Sequence, residues 1–357
     1  MKSEVISRKK RRSMKHLSII LIGIIFCSST VLSACSMGSG SAQSSDYLPK
    51  TEFLLDTVCT VTVFSKNDEQ AASDALALCA DYEKLFSRTI EDSEISTINA
   101  AAGASVTVSP GTLDLLEKAI YYGDLSGGLF DVSIGAVSSM WNFTADNGNN
   151  TVPAEADILE ALQSVDYRNI EIDSNQVSLK DAKMRLDMGG IAKGYIADRM
   201  ADMLEEEGVK SAIIDLGGNI VTVGSKNDGQ PWSVGIRDPL PEGAGPGKSI
   251  IGTITVEGRK SIGSSGTYER FFELDGVRYH HILDPGTGYP VRTDLAGVTI
   301  VSDVSVDGEG FSTFCILLGS EKAKDFLEKN NIQAVLVKED GTVITTAGVL
   351  FTATGDA

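Results

Sequence analysis

The chain has 357 residues, enough for one large domain or two small ones, and its hydrophobic (42%) and charged (22%) fractions are ordinary for a globular protein. The formal charge is −18, and because residues 1–34 hold seven Lys/Arg against one acid, setting that +6 aside leaves −24 on the remainder. So acidic a surface argues against nucleic acid as a partner and against docking on anionic lipid through a basic patch; a phosphorylated ligand would need a local cation, Mg²⁺ or a specific lysine.

The N-terminus reads as an address. A basic stretch from Arg8 to Lys15 leads into an apolar run, Leu17 to Val31, and then into Leu32-Ser33-Ala34-Cys35. Basic, apolar and small-residue regions in that order make an export signal. The run of about 15 residues is short for a membrane span of roughly 20. Leu-Ser-Ala-Cys resembles a bacterial lipobox, which implies that residues 1–34 are removed and that Cys35 carries lipid. An ordinary signal peptide and a single spanning anchor are the weaker alternatives. Residues 35–50, rich in Ser, Gly and Ala, read as a flexible tether, and 51–357 as one folded domain. The expected location is the extracytoplasmic face of the cell membrane, held by lipid alone.

Residues 53–64 alternate and are rich in Val and Thr, which predicts a strand. Ala75, Leu78, Cys79, Tyr82 and Phe86 fall at helical spacing within 68–86. A second helix covers 110–122 with Pro110 near its start. A polar loop (145–153), a short helix (155–164) and a hairpin (169–180) turning at Asp173-Ser174-Asn175 follow. Gly189-Gly190 precedes a helix from Ile191 to Glu207, with a stripe of Ala192, Ile196, Met200, Met203 and Leu204 and a capping position at Gly208. A strand from Ala212 to Leu216, a Pro/Gly-rich loop (237–249) and short strands lead to residue 302. Helices near 308–318 and 320–330 and two strands up to 351 close the chain. Strict β-α alternation is absent, so the fold class is α+β and not a doubly wound sheet. Cys59, Cys79 and Cys315 each sit in apolar context without C-x-x-C spacing and read as buried free thiols.

Several segments hold residues suited to chemistry. In Asp187-Met188-Gly189-Gly190-Ile191-Ala192-Lys193-Gly194, glycines before a helix let backbone N–H groups approach a phosphate, and Lys193 in the first turn can reach the same anion. Taken alone, a structural Gly-Gly turn accounts for the segment more simply. Both histidines outside the signal lie in His280-His281-Ile282-Leu283-Asp284-Pro285-Gly286-Thr287-Gly288, where the spacing permits Asp284 to orient the His281 imidazole across a turn. Asp303, Asp307 and Glu309 cluster before Thr313; on a helix Glu309 and Thr313 share a face, a hard-oxygen pair suited to Mg²⁺ or merely a helix cap and its first turns. Ser126-Gly127-Gly128-Leu129-Phe130-Asp131 and Ser261 to Tyr268 are glycine-serine turns able to line a flat ligand.

Taken in order over residues 51–355, these blocks, with Glu83 to Arg88, Ser93 to Asn99, Ile214 to Asn219 and Ser264 to Arg270, resemble the ApbE family of FAD:protein FMN transferases. The resemblance implies a T-fold-like arrangement of mixed sheets flanked by helices in one compact, two-lobed unit. It implies that Asp187 and Lys193 contact FAD, and that Leu129, Phe130 and Asp131 line the flavin site with Leu55, Thr89, His281 and Ile282. It implies Mg²⁺ on the Gly190 carbonyl, Glu309 and Thr313. The family commonly has Asp where Glu309 stands, one methylene shorter, and Asp307 is a further candidate at the catalytic centre, able to supply a ligand instead. The implied reaction moves FMN from FAD onto a Thr or Ser hydroxyl of an extracytoplasmic acceptor flavoprotein of a membrane redox chain, releasing AMP, with His281 and Asp284 as the proton-accepting pair. The same site would serve hydrolysis of FAD to FMN and AMP, and a non-catalytic flavin-binding lipoprotein is the alternative from another class. A solute-binding protein would need two lobes of βαβ units.

Overall fold

Residues 53–64 alternate as one strand in the sequence, yet the chain turns inside them. In the computed structural model, which describes residues 47–143, 150–240 and 249–354, Leu48–Leu54 pairs antiparallel with Thr57–Val63. Leu55 and Asp56 make the turn at φ 55° and 56°. Tight hairpins are usually marked by Asn-Gly or Asp-Gly; here the Glu83 carboxylate, 28 residues away, accepts the Leu55 N–H at 2.7 Å and holds the turn. The sheet therefore begins at Leu48, and residues 48–50 belong to it and not to the tether. Cys35, the signal and parts of the expected 145–153 and 237–249 loops lie outside the described residues.

Residues 45–357 form one unit. Its spine is an eight-stranded sheet in the order Leu48–Leu54, Thr57–Val63, Ser211–Leu216, Asn219–Gly224, Lys260–Gly266, Leu295–Ser302, Gln333–Lys338, Val343–Thr345. Every neighbouring pair is antiparallel. Leu295–Ser302 is buried on both faces, which explains its nearly continuous apolar run. Val298 and Ile300 pack with Cys315, Ile316, Ala323 and Leu327 on one side. Val301 and Val335 pack on the other against Trp232, Ile236 and Ile254 of a three-stranded sheet.

The described residues contain helices α1 (Glu69–Phe86), α2 (Glu94–Ala100), α3 (Pro110–Leu125), α4 (Gly135–Ser138), α5 (Glu155–Leu162), α6 (Ala192–Glu206), α7 (Ser305–Leu318) and α8 (Ser320–Lys329). Ala192, Ile196, Met200 and Leu204 of α6 are buried as their spacing predicts, and Gly208 ends the turn at φ 85°. Other features also depart from the sequence expectation. Helix α2 has no apolar run long enough to announce it; Ser93 caps it, its Oγ accepting the Ser96 N–H at 2.9 Å. Helix α7 starts at Ser305, ahead of 308, because the Asp198 carboxylate of α6 accepts the Ser305 and Val306 N–H groups at 2.7 and 3.0 Å. That cap comes from another element, so no local signal reveals it. The C-terminal part holds three strands where two were expected, the last being Phe351–Ala353. Cys59, Cys79 and Cys315 are buried and free. Among the described residues no helix is long and apolar enough to cross a membrane.

Candidate active site

The start of α6 lies against α7 with no spare room. A Cβ on Gly194 would come 2.6 Å from the Ser305 carbonyl oxygen. Only glycine permits this approach. Its consequence is that the Lys193 ammonium and the Gly194 N–H both reach Glu309, which is 6% exposed. Lys193 Nζ is 2.6 Å from Oε1, and the Gly194 N–H donates to Oε2 at 2.7 Å. Burial alone would lower the pKa of Lys193; the charge and hydrogen bond of Glu309 outweigh it, so the pKa is raised and the ammonium stays charged. One turn along α7, the Thr313 hydroxyl is 3.2 Å from Ser265 Oγ, which also lies 2.8 Å from Ser312 Oγ.

Asp187 sits ahead of the glycine pair. Its Oδ2 accepts from Ser138 Oγ at 2.6 Å and lies 3.3 Å from Arg88 Nε, while Oδ1 accepts the Gly189 N–H at 3.0 Å. Phe130 is buried behind it: a Cβ on Gly190 would touch its ring at 3.3 Å. Asp131 faces inward, accepting from Ser133 N and Oγ at 2.8 and 2.6 Å and from Tyr167 N at 3.1 Å. Burial pushes its pKa up against those bonds. Its carboxylate therefore fixes the loop that presents the half-buried Leu129. Leu55 is half-buried at its hairpin turn, and Thr89 is exposed beside Ser87. Ile282 packs in the core with Leu295 and Ile316, so its side chain serves the core.

The expected His281–Asp284 pair is not formed. Asp284 Oδ1 accepts the Gly286 N–H at 2.8 Å, and its carbonyl takes the Thr287 and Gly288 N–H groups, so the residue ties its own turn. A carboxylate followed by Pro-Gly is already supplied with donors inside the turn, and the loop closes on itself before it can reach back. The His281 N–H donates to the Arg270 carbonyl at 3.0 Å, while Nδ1 is buried with no hydrogen-bond partner among the described residues. Burial first, then the charges of His280, Arg270 and Lys193, push its pKa down to about 3, so the imidazole is neutral. His280 is the satisfied one: Nδ1 accepts from Ile282 N at 3.3 Å, so Nε2 carries the proton and donates to the Val291 carbonyl at 2.9 Å. A cavity of about 390 Å³ opens beside this loop, lined by Tyr279, Asp284, Thr287, Tyr289, Val291 and Arg292 among others.

Asp307 is also committed elsewhere, accepting the Tyr122 hydroxyl. A residue that the sequence did not single out stands closer to the cluster. Glu269 is accessible to solvent yet crowded by protein atoms, which raises its pKa; Lys193, Arg237 and Arg270 pull it down and Glu309 opposes them. It follows Tyr268 directly after the glycine-serine strand, where nothing in its spacing marks it.

The Gly190 carbonyl, Glu309 carboxylate and Thr313 hydroxyl are hard-oxygen donors of the kind Mg²⁺ takes. A cation already rests on Glu309 in the form of the Lys193 ammonium, so the residues present fit a positively charged occupant. No group of three His, Cys, Asp or Glu suited to a metal occurs among the described residues, so the donors would be one carboxylate with neutral oxygens.

Fold and site together define an α+β protein whose glycine-led helix start, lysine and buried glutamate meet at one point beside a sheet. A profile of the ApbE family matches residues 55–336, and the chain belongs to that family. It is 36% identical over 353 residues to the FAD:protein FMN transferase of Treponema pallidum, covering 92% of this chain and 94% of that one. A Klebsiella pneumoniae protein of the same name is 36% identical over 282 residues, 78% and 85% of the two chains. The crystal structure of the ApbE protein from Thermotoga maritima superposes with a TM-score of 0.78 at 30% identity, covering 84% of this chain and 97% of that one.

Proposed function

We propose that this chain is a Mg²⁺-dependent FAD:protein FMN transferase. The observation that carries the reading is the junction of Lys193, Gly194 and Glu309, which sets an anion-binding helix start against a cation-binding carboxylate within a chain that belongs to the ApbE family. FAD is the donor, and a Thr or Ser hydroxyl of an acceptor flavoprotein is the nucleophile. Its oxygen forms a bond to the FMN phosphorus, the P–O bond to the AMP portion breaks, and AMP leaves with the electron pair. Bound Mg²⁺, held by the Gly190 carbonyl, Glu309 and Thr313, would neutralise charge on the pyrophosphate.

The protein's own contributions follow from the geometry. Lys193 receives phosphate oxygens at the positive end of α6, where the Ile191 and Ala192 N–H groups are held by the Met188 carbonyl and that of Gly194 by Glu309. Asp187, braced by Ser138 and Arg88, offers a fixed acceptor to a ligand N–H or hydroxyl. Leu129 and the loop locked by Asp131 provide apolar surface for the flavin. His281, neutral in the free protein, accepts the proton of the attacking hydroxyl; Asp284 serves its turn instead. Lipid on Cys35 would hold the enzyme at the extracytoplasmic face of the cell membrane, where the acceptor of a membrane redox chain resides.

The test is incubation of the purified protein with FAD, Mg²⁺ and a candidate acceptor domain. Flavin that stays on the acceptor after denaturation supports transfer, whereas free FMN and AMP with an unmodified acceptor identify a pyrophosphatase. His281→Ala should bind FAD and lose transfer; wild-type rates would remove His281 from the reaction. Radiolabelled palmitate incorporation that disappears in Cys35→Ala tests the anchor.

A further inference from the structure

We propose that Lys193 is an internal stand-in for the divalent cation: it neutralises Glu309 in the free protein, and FAD, by giving the ammonium a phosphate partner, releases Glu309 to the metal. This rests on the FAD and Mg²⁺ reading above and adds an order and a coupling to it.

Both oxygens of Glu309 are occupied. Oε2 holds the Gly194 N–H at 2.7 Å and Oε1 the Lys193 ammonium at 2.6 Å, with the glutamate side chain only 8% exposed. A Mg²⁺ bound directly lies about 2.0–2.1 Å from its oxygen. An ammonium and a divalent ion therefore compete for one position on Oε1. Gly194 cannot yield, because its backbone is pressed against the Ser305 carbonyl. Lys193 can. Its side chain is unbranched, 30% exposed and anchored in the first turn of α6, beside the Gly189-Gly190 backbone where a helix start receives a phosphate.

Neither ligand acting alone removes the ammonium without cost. Metal entry by itself expels Lys193 towards Arg270, whose charge lies within reach of Lys193. Phosphate by itself draws Lys193 away and leaves a buried carboxylate without its counter-ion. Together each supplies what the other's arrival removes. The two ligands are therefore linked, and by reciprocity the metal tightens FAD by the same factor that FAD tightens the metal. The longer side chain of glutamate serves this arrangement, since its reach lets one carboxylate bridge a backbone N–H and a lysine on the same helix start.

The experiment measures Mn²⁺ affinity of the purified protein from the electron paramagnetic resonance signal of the free ion, without FAD and with saturating FAD. Lys193→Met should bind Mn²⁺ about tenfold more tightly than wild type when FAD is absent. Lys193→Gln, of similar length and still polar, repeats the measurement should the first variant fail to fold. Equal or weaker Mn²⁺ binding by the folded variant, without FAD, overturns the proposal. Wild type that binds no Mn²⁺ with or without FAD removes the metal reading itself and the proposal with it. Tighter binding by the variants in a protein that transfers no flavin to any acceptor keeps the stand-in and discards the transferase reading.

Discussion

Two regions hold the candidate site residues, and they are built in opposite ways. At the crossing of α6 and α7 every charge has its partner on another element: Lys193 and Gly194 on Glu309, and the N-terminal N–H groups of α7 on Asp198. In the Asp284 loop the bonds of Asp284 itself are short-range, to Gly286 and Gly288, the Gly288 carbonyl accepts the Trp141 indole N–H at 3.0 Å, and His281 Nδ1 is left with no partner among the described residues. The first region is fixed by contacts more than a hundred residues apart and holds its groups in one geometry. The second satisfies its carboxylate within the turn, although Gly288 is seated on Trp141 and Ile158, and it leaves an imidazole nitrogen without a partner among the described residues.

The sharpest way to break this contrast is Gly194→Ala. The added methyl meets backbone that cannot rotate aside, so a loss of about 1–3 kcal/mol in urea unfolding is expected, together with loss of the Lys193–Glu309 geometry and of flavin transfer. An unchanged midpoint would mean that α6 and α7 are not in close contact. Asp198→Asn should cost about 1–2 kcal/mol by weakening the cap of α7. It should also weaken Mn²⁺ binding, a readout that a purely structural cap far from Glu309 would leave alone.

The histidine side has a pH signature. His281 titrates near 6.5 when unfolded but only at about 3 when folded, so the unfolded chain binds more protons between those values. Its contribution to stability is complete above pH 6.5 and is lost as pH falls towards 3. His281→Gln, which cannot titrate, should flatten the rise of unfolding free energy with pH across that window. An identical slope in the variant would show that His281 is not held neutral. The smallest effect is expected of Asp284→Asn, which keeps an acceptor for Gly286 and should leave transfer within about twofold of wild type. A tenfold loss would restore Asp284 as the partner of His281.

What the sequence made legible follows the same divide. Helical spacing found α1 and α6 with its buried stripe, because that spacing is written in neighbouring residues, and α3, α5 and α8 also fall where they were expected. The ordered blocks of glycine, acid and histidine identified the family, which the comparisons bear out. The hairpin at Leu55-Asp56, the early start of α7 and the position of Glu269 were not legible, since each depends on a side chain brought in by the fold: Glu83, Asp198, and the basic cluster of Lys193, Arg237 and Arg270. The His281–Asp284 expectation missed for the converse reason. Nearness in sequence suggested a pair, but the turn's own N–H groups are nearer still.

The tight seat of Gly194 also bears on speed. Two helices that touch backbone to backbone cannot part to admit a ligand without breaking the contact between them. Any exchange of partners at Glu309 must then be a rotamer change of Lys193 that breaks one ion pair, and not a domain movement. With the helices fixed, the two ligands would meet a site that re-forms around them far faster than an acceptor protein can arrive.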